Sequence, residues 1–335
     1  MEIIETTFFC GLDQISLPKY SRNGSKFLEN YFITTDKGVI LDLVLPLCRS
    51  IGSIEFDYLT IVAKAVIYRK GTIECQSERR EHVSQALADQ LIDDMVAVQI
   101  LDSMLWMIKD NACHFDRAWI AGKINGSTIV NNNVWSSRPS CADGLFNEVS
   151  FSFDEFQIVR RSRRQMGTYL GASGAPTALS KELLRLQRFE YFIGAARSSH
   201  DVAVKIALYC SGLEALVSTS QQELSHQVSE RVAAVLVGPG PKRVAIFKLM
   251  KRAYGFRSKT VHGASFKPTE MDQLRECSKI VDHICRALQA LYFDDEDPSF
   301  RSAVEASDDK SSEFFVEAIL GARKARDRLG IEVAI

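Results

Sequence analysis

The sequence predicts an α+β protein: a mixed strand-and-helix N-terminal half followed by an all-α bundle. Three observations carry this. Short β-branched and aromatic runs with turn residues between them are confined to the first half. After Pro176, apolar residues recur at spacings of three and four almost without interruption. Between the halves, Gly171-Ala-Ser-Gly174-Ala-Pro176 is the strongest linker in the chain. The expected organisation is a mixed domain over 1–170, a linker over 171–180, a helical bundle over 181–294, and an acidic linker with a last helix over 295–335.

The elements follow in order. Tyr31–Thr35 and Val39–Leu45 flank Asp36-Lys37-Gly38 and read as a hairpin. Tyr58–Tyr68 reads as a third strand, turning at Gly71 so that Thr72–Cys75 returns. From Ser84, Leu87, Leu91, Met95, Val98, Leu101, Leu105 and Ile108 mark one long amphipathic helix, with Asp110-Asn111 as its stop. Gly122–Gly144, with Asn-Gly, Asn-Asn-Asn and Arg-Pro, reads as loop. Ser152-x-x-Glu155 reads as a capping box opening a helix toward Leu170. That helix carries Arg160, Arg161, Arg163 and Arg164, either a solvated face or a phosphate-gripping patch. In the second half, helices are expected from about Leu183 to Ala196, Val202 to Val217, Leu224 to Val237, Lys242 to Tyr254 and Pro268 to the acidic run Asp294–Asp297. A further one is expected around Phe314–Leu329.

Bulk properties narrow the function classes. The chain has 335 residues, 46% of them hydrophobic and 25% charged, which suits a soluble globular protein with an ordinary core. A formal net charge of -1 argues against coating nucleic acid along the whole surface but allows a local basic patch. The 8 cysteines are scattered without a C-x-x-C pair, so no metal site and no cofactor is expected, and the thiols read as reduced. Cys210, Cys277 and Cys285 sit among apolar helical residues as small hydrophobes. The N-terminus lacks a basic n-region, and no run of about 18 apolar residues occurs, so a cytoplasmic protein without a membrane span is expected.

The stretch that carries chemistry is Ala253-Tyr-Gly-Phe-Arg257-Ser258-Lys-Thr-Val-His262-Gly263. It is expected between two helices, with Gly255 and Gly263 allowing tight turns. Of the 6 histidines, only His262 follows an arginine at four to six intervening residues. Neither His82, His114, His200, His226 nor His283 has a partner at ligand or triad spacing. Gly171-x-x-Gly174 lacks the context of a nucleotide-binding loop. A neutral imidazole can take a proton near working pH. A guanidinium can hold a phosphate bidentately and stabilise charge building on its oxygens. RNA supplies its own nucleophile, the 2′-OH, so no metal is needed. One histidine per chain serves poorly as both base and acid, so a two-fold dimer through this stretch is expected. The other reading of Arg257 and His262 is an ion-bonded cap without catalysis.

The neighbours of this stretch carry charge of one sign. From Lys242 to Lys259 the positives Lys242, Arg243, Lys248, Lys251, Arg252, Arg257 and Lys259 have no acid between them. That is a basic stripe suited to an RNA backbone, with Lys251, Arg252 and Lys259 beside the motif. Tyr254 and Phe256 either stack unpaired bases or belong to the core. Glu214 and Glu230 are carboxylates inside apolar helical stretches, placed to support the site or to pair with Arg231 or Arg257 and fix packing.

Ala207-Leu-Tyr-Cys-Ser-Gly-Leu-Glu-Ala-Leu-Val217, Ser229-Glu-Arg-Val-Ala-Ala-Val-Leu236 and Tyr254-Gly-Phe-Arg-Ser-Lys-Thr-Val-His-Gly263 together resemble a HEPN domain of the Apea-like kind, over roughly Leu179–Phe293. The resemblance implies a small helical bundle that pairs as a homodimer. Many such domains are metal-independent endoribonucleases of prokaryotic toxin-antitoxin and anti-phage systems, where an antitoxin or defence complex is a partner. Their Arg-x(4–6)-His motif, supplied by both protomers, forms one composite cleft. Carried over, Arg257 and His262 are the motif residues. The position after the arginine, often Asn, Asp or His in active members, is Ser258 here. A second implied class is a HEPN adaptor that dimerises or binds RNA or protein without cutting.

Overall fold

The computed structural model describes residues 2–18, 24–28, 30–135, 137–152, 154–156, 158 and 183–323. The fold is α+β: an antiparallel sheet in the first half and a helical region in the second. The chain divides into two compact units, Met1–Pro139 with Phe146–Gly171, and Ser140–Leu145 with Ala172–Ile335.

The first unit is built on a six-stranded antiparallel sheet. Its strands are β1 (Glu2–Leu12), β3 (Ser25–Lys26), β4 (Tyr31–Thr34), β5 (Ala65–Cys75), β6 (Arg117–Ile124) and β7 (Ser127–Val134), in the order β3-β4-β5-β1-β6-β7. Two short strands, β2 (Ile15–Ser16) and β8 (Val149–Ser150), pair in parallel. One face of the sheet, with Phe9, Val66, Tyr68, Trp119 and Ala121, packs on Ile40, Leu43, Val44, Leu47, Ile51 and Leu59 of a layer of short helices. These include α1 (Lys37–Val44), α2 (Cys48–Ile51) and α3 (Ser53–Asp57). The other face receives the long helix α4 (Arg80–Ile108), whose apolar stripe is buried as its periodicity requires. Gly122 lets the helix close down, since a Cβ there would lie 3.0 Å from both Leu87 methyl groups.

Four expectations are corrected here. Val39–Leu45 is not a strand: it lies almost entirely in α1, because Asp36 caps the helix by accepting from the Gly38 and Val39 amides at 2.8 and 3.2 Å. Tyr58–Val62 is helical, and β5 starts only at Ala65. Gly71 is not a turn, since β5 runs straight through it, paired to Thr6. Its lack of a side chain makes room for Arg69, whose Nη1 lies 2.5 Å from where a Gly71 Cβ would be. Finally, much of Gly122–Gly144 is strand: Asn125 and Gly126, at φ 47° and 74°, form a two-residue hairpin loop joining β6 to β7. The Ser152/Glu155 capping box does form, Ser152 N donating to Glu155 Oε2 at 2.8 Å and Glu155 N to Ser152 Oγ at 3.2 Å. The helix beyond it toward Leu170, and the linker 171–180, lie outside the described residues.

In the second unit the described helices are α5 (Arg185–Ser198), α6 (Val202–Val217), α7 (Leu224–Leu236), α8 (Pro241–Val261), α9 (Met271–Tyr292), α10 (Ser299–Glu305) and α11 (Asp308–Ile319). Helix α6 is central: Ile206, Tyr209, Cys210, Leu213, Leu216 and Val217 are all buried. Helix α8 does not stop at Tyr254 but continues to Val261, so the Arg/His stretch is helix rather than inter-helix loop. Gly255 is an ordinary helical residue, and the chain turns only at Gly263, φ 70°. Helix α11 ends at Ile319, ahead of Gly321 at φ 76°; the remainder of the expected segment, from 324 to Leu329, lies outside the described residues. Phe300, Phe314 and Phe315 of α10 and α11 are buried. Ser140–Leu145 straps across this unit: Lys205 Nζ, fully buried, donates to Ser140 O at 3.2 Å and Ala196 O at 2.9 Å. Lys279 pairs with Asp143 at 3.2 Å.

Candidate functional site

Helix α8 sorts its residues by angle. At about 100° per residue, Lys248, Lys251, Arg252, Gly255, Ser258, Lys259 and His262 fall on one side. All of them are exposed. Ala253, Tyr254 and Phe256 face the core and are buried, so the two aromatics are packing residues and not stacking platforms. The basic stripe therefore resolves into a solvent-facing surface that ends at His262. Lys251 Nζ donates to Ser225 Oγ at 2.9 Å, and Lys259 pairs with Glu270 at 2.6 Å. Arg243, from the same stripe, has another job: it donates to the carbonyls of Val237, Ala234 and Ile319, tying the ends of α7 and α11.

Arg257 lies on a different side. Five residues of helix separate it from His262, about 140° around the axis and about 7.5 Å along it. Its guanidinium turns toward α6, where Nη2 donates to Glu214 Oε2 at 3.3 Å. The Arg257 side chain is 32% exposed and that of Glu214 17%. Among the described residues no hydrogen bond or ion pair joins Arg257 to His262. His262 is the C-cap of α8, its amide donating to Ser258 O at 3.1 Å, and its side chain faces solvent.

Beneath this pair, Tyr254 lies 5.9 Å below the Arg257 guanidinium. Burial first, then the neighbouring Cys210 and Glu214, push its phenol far above the usual range, so it stays neutral. The phenol is close enough to feel the Glu214 carboxylate, yet two buried oxygens are left without a well-formed hydrogen bond: Glu214 Oε1 and Tyr254 Oη. Glu230, the other carboxylate singled out, lies apart from this pair and faces His226 at 3.9 Å. Arg231 turns away from it, donating to Val217 O at 2.7 Å and stacking 4.7 Å over Phe315. Arg160, Arg161, Arg163 and Arg164 lie outside the described residues.

The cysteines are free, and burial holds Cys210 and Cys285 well above the usual thiol range and pushes Cys277 up to about 12. No group of His, Cys, Asp or Glu suited to holding a metal ion occurs among the described residues. Sequence reasoning missed the exposed continuity of the face from Lys248 to His262, which depends on α8 running unbroken through Gly255. The spacing 248, 251, 252, 255, 258, 259, 262 was the signal that could have found it. No family model matches the chain, and no curated protein or solved structure is significantly similar to it.

Proposed function

We propose that the chain is a metal-independent endoribonuclease of the HEPN type, cytoplasmic and homodimeric, with single-stranded RNA as substrate. The observation that carries this reading is the exposed basic face of α8, which leads from Lys248 through Arg252 and Lys259 to an exposed imidazole at His262. Cations there hold the RNA backbone. His262 takes the proton of a 2′-OH, and that oxygen attacks the adjacent phosphorus. The bond from phosphorus to the 5′-oxygen breaks, and the leaving oxygen takes a proton from His262 of the partner subunit. Arg257 stabilises the charge on the non-bridging oxygens, with Ser258 within the same turn as a hydrogen-bond donor. The products are a 2′,3′-cyclic phosphate and a 5′-hydroxyl. The setting that the HEPN resemblance suggests is prokaryotic anti-phage defence or a toxin-antitoxin pair, with an antitoxin or defence complex as partner.

A second reading is a HEPN adaptor that dimerises or binds RNA without cutting it. One observation favours it: Arg257 is already paired with Glu214, so a phosphate has to compete for the guanidinium. Incubation of the protein with total RNA in excess chelator separates the two. The nuclease reading expects cyclic-phosphate ends with wild type and loss of at least about 100-fold in rate for His262→Ala, the scale of a general acid–base group. Cleavage that requires magnesium, or no cleavage by any form while RNA still binds, rejects it.

A further inference from the structure

A strand at the edge of a sheet offers its outer N–H and C=O groups to any second chain, and natural sheets guard such edges with short strands, charge, proline or a bulge. At one end of the six-stranded sheet, β3 is guarded: it has 2 residues, one of them Lys26. The other end, β7, has none of these guards. It runs for 8 residues, Ser127–Val134, without a charge or a proline. Its pairing to β6 is continuous over that whole length, with no bulge. Thr128, Asn132 and Asn133 are exposed. Among the described residues, no backbone group pairs with its outer edge.

The hairpin fixes which groups face outward. Asn125 and Gly126, both at positive φ, make a two-residue loop, so the flanking pair Ile124 and Ser127 exchanges both of its main-chain bonds. Bonded and non-bonded pairs then alternate along the ladder. Ser127, Ile129, Asn131 and Asn133 bond to β6, while the amides and carbonyls of Thr128, Val130, Asn132 and Val134 point away from it. Two bonds beyond the ladder agree. Trp135 N, in step with the first set, donates to Asp116 O at 2.7 Å, and Val134 N, in the second, is taken up by Asn133 Oδ1 at 2.8 Å. Thr128, Val130 and Asn132 are left with free outward amides, spaced evenly about Val130. The partner that matches all three is the same strand turned by a two-fold axis: Thr128 faces the partner subunit's Asn132, and Val130 faces the partner subunit's Val130. Because β7 carries no charge, no like charges meet across the axis. We infer that β7 pairs antiparallel with β7 of a second copy of this chain, about an axis at Val130, joining two six-stranded sheets into one. The pairing lies wholly within the first unit and does not rest on the nuclease reading.

Sedimentation of the full-length protein at micromolar concentration gives the first test. Wild type is expected as a dimer or larger, and Asn132→Pro at half that mass or less. The Asn132 amide faces away from β6, so proline there spares the sheet's own bonds and removes one that the second copy needs. Thr128→Lys combined with Asn132→Lys, both at exposed positions, keeps the fold by another route and sets lysines opposite each other, with the same expected fall in mass. Cysteine capture then tests the register. Facing residues of a bonded pair lie about 5.5 Å apart at Cα, within reach of a disulfide. Thr128→Cys mixed with Asn132→Cys, under conditions that exchange subunits and with a thiol oxidant added, should give a disulfide-linked heterodimer. Either variant alone should not, since position 128 and its own copy lie about 14 Å apart. A monomeric wild type, an unchanged mass in both edge variants, or no more crosslinking in the mixture than in its components overturns the inference. None of these readings depends on RNA cleavage, so a failure of the nuclease reading leaves the test standing.

Discussion

At Glu190, on α5, the carboxyl is enclosed by the bundle and receives Gln289 Nε2 at 3.1 Å. Burial pushes its pKa up to about 7, against the hydrogen bond from Gln289. The sign follows from linkage. The folded chain keeps a proton that the unfolded chain releases near roughly 4.3. Stability contributed by the protonated form is therefore full at low pH and falls as pH rises from there through about 7. Urea midpoints of wild type should decline across that window, and those of Glu190→Gln should decline less; parallel curves would contradict the assignment. Asp94 is a second decisive residue. It is fully buried and binds Arg69 through both oxygens, at 2.7 and 2.8 Å, with Tyr31 Oη adding a third bond at 2.6 Å. Asp94→Ala strands a buried guanidinium and should cost about 3–5 kcal/mol by urea denaturation. A loss under about 1 kcal/mol would mean that water reaches Arg69, contrary to its burial.

At the scale of elements, α8 does two things at once. Its inner side packs Ala245, Ile246, Leu249, Met250 and Ala253 into the bundle, and its outer side carries the cations. Changing Lys248, Lys251 and Arg252 together to alanine should leave the fold intact and weaken RNA binding across all sequences. The slope of log affinity against log salt should fall by about one for each phosphate that the variant no longer neutralises. An unchanged slope would place the RNA elsewhere. Elements also mark how far sequence reading reached. The helices from Val202 to Val217 and Leu224 to Leu236 were legible because period and punctuation agree. The β6–β7 hairpin was not, since edge strand β7 is mostly exposed and carries Asn131, Asn132 and Asn133, so it lacks the apolar alternation of a buried strand. Val39–Leu45 misled in the opposite sense: its β-branched residues suit a strand, and only the Asp36 cap settles it as helix. For the site, the motif residues and Glu214 could be named from the chain, but that Arg257 and His262 point to different sides of α8 follows only once the helix is known to pass unbroken through Gly255.

For the whole molecule, the chain enters the helical unit before its main helices do. Ser140–Leu145 is held there by Lys205, by Ser278 Oγ donating to Ala142 O at 2.5 Å, and by the Lys279–Asp143 pair. A fragment starting at Ala172 leaves the buried Lys205 ammonium without its Ser140 partner, a loss of about 1–3 kcal/mol or more for a charged group. It should unfold at lower urea than the same helices in the full chain. Equal midpoints would make the strap incidental.

The geometry of α8 sets the central claim. One chain turns Arg257 and His262 about 140° apart, and the proposed nuclease site takes one imidazole from each of two copies. The most direct measurement mixes wild type with increasing amounts of His262→Ala under conditions that exchange subunits, and assays RNA cleavage in chelator. A composite site that needs both imidazoles predicts cleavage falling with the square of the wild-type fraction, since only a dimer of two wild-type copies keeps both. Cleavage falling in direct proportion to the wild-type fraction, with subunit exchange verified, would contradict it.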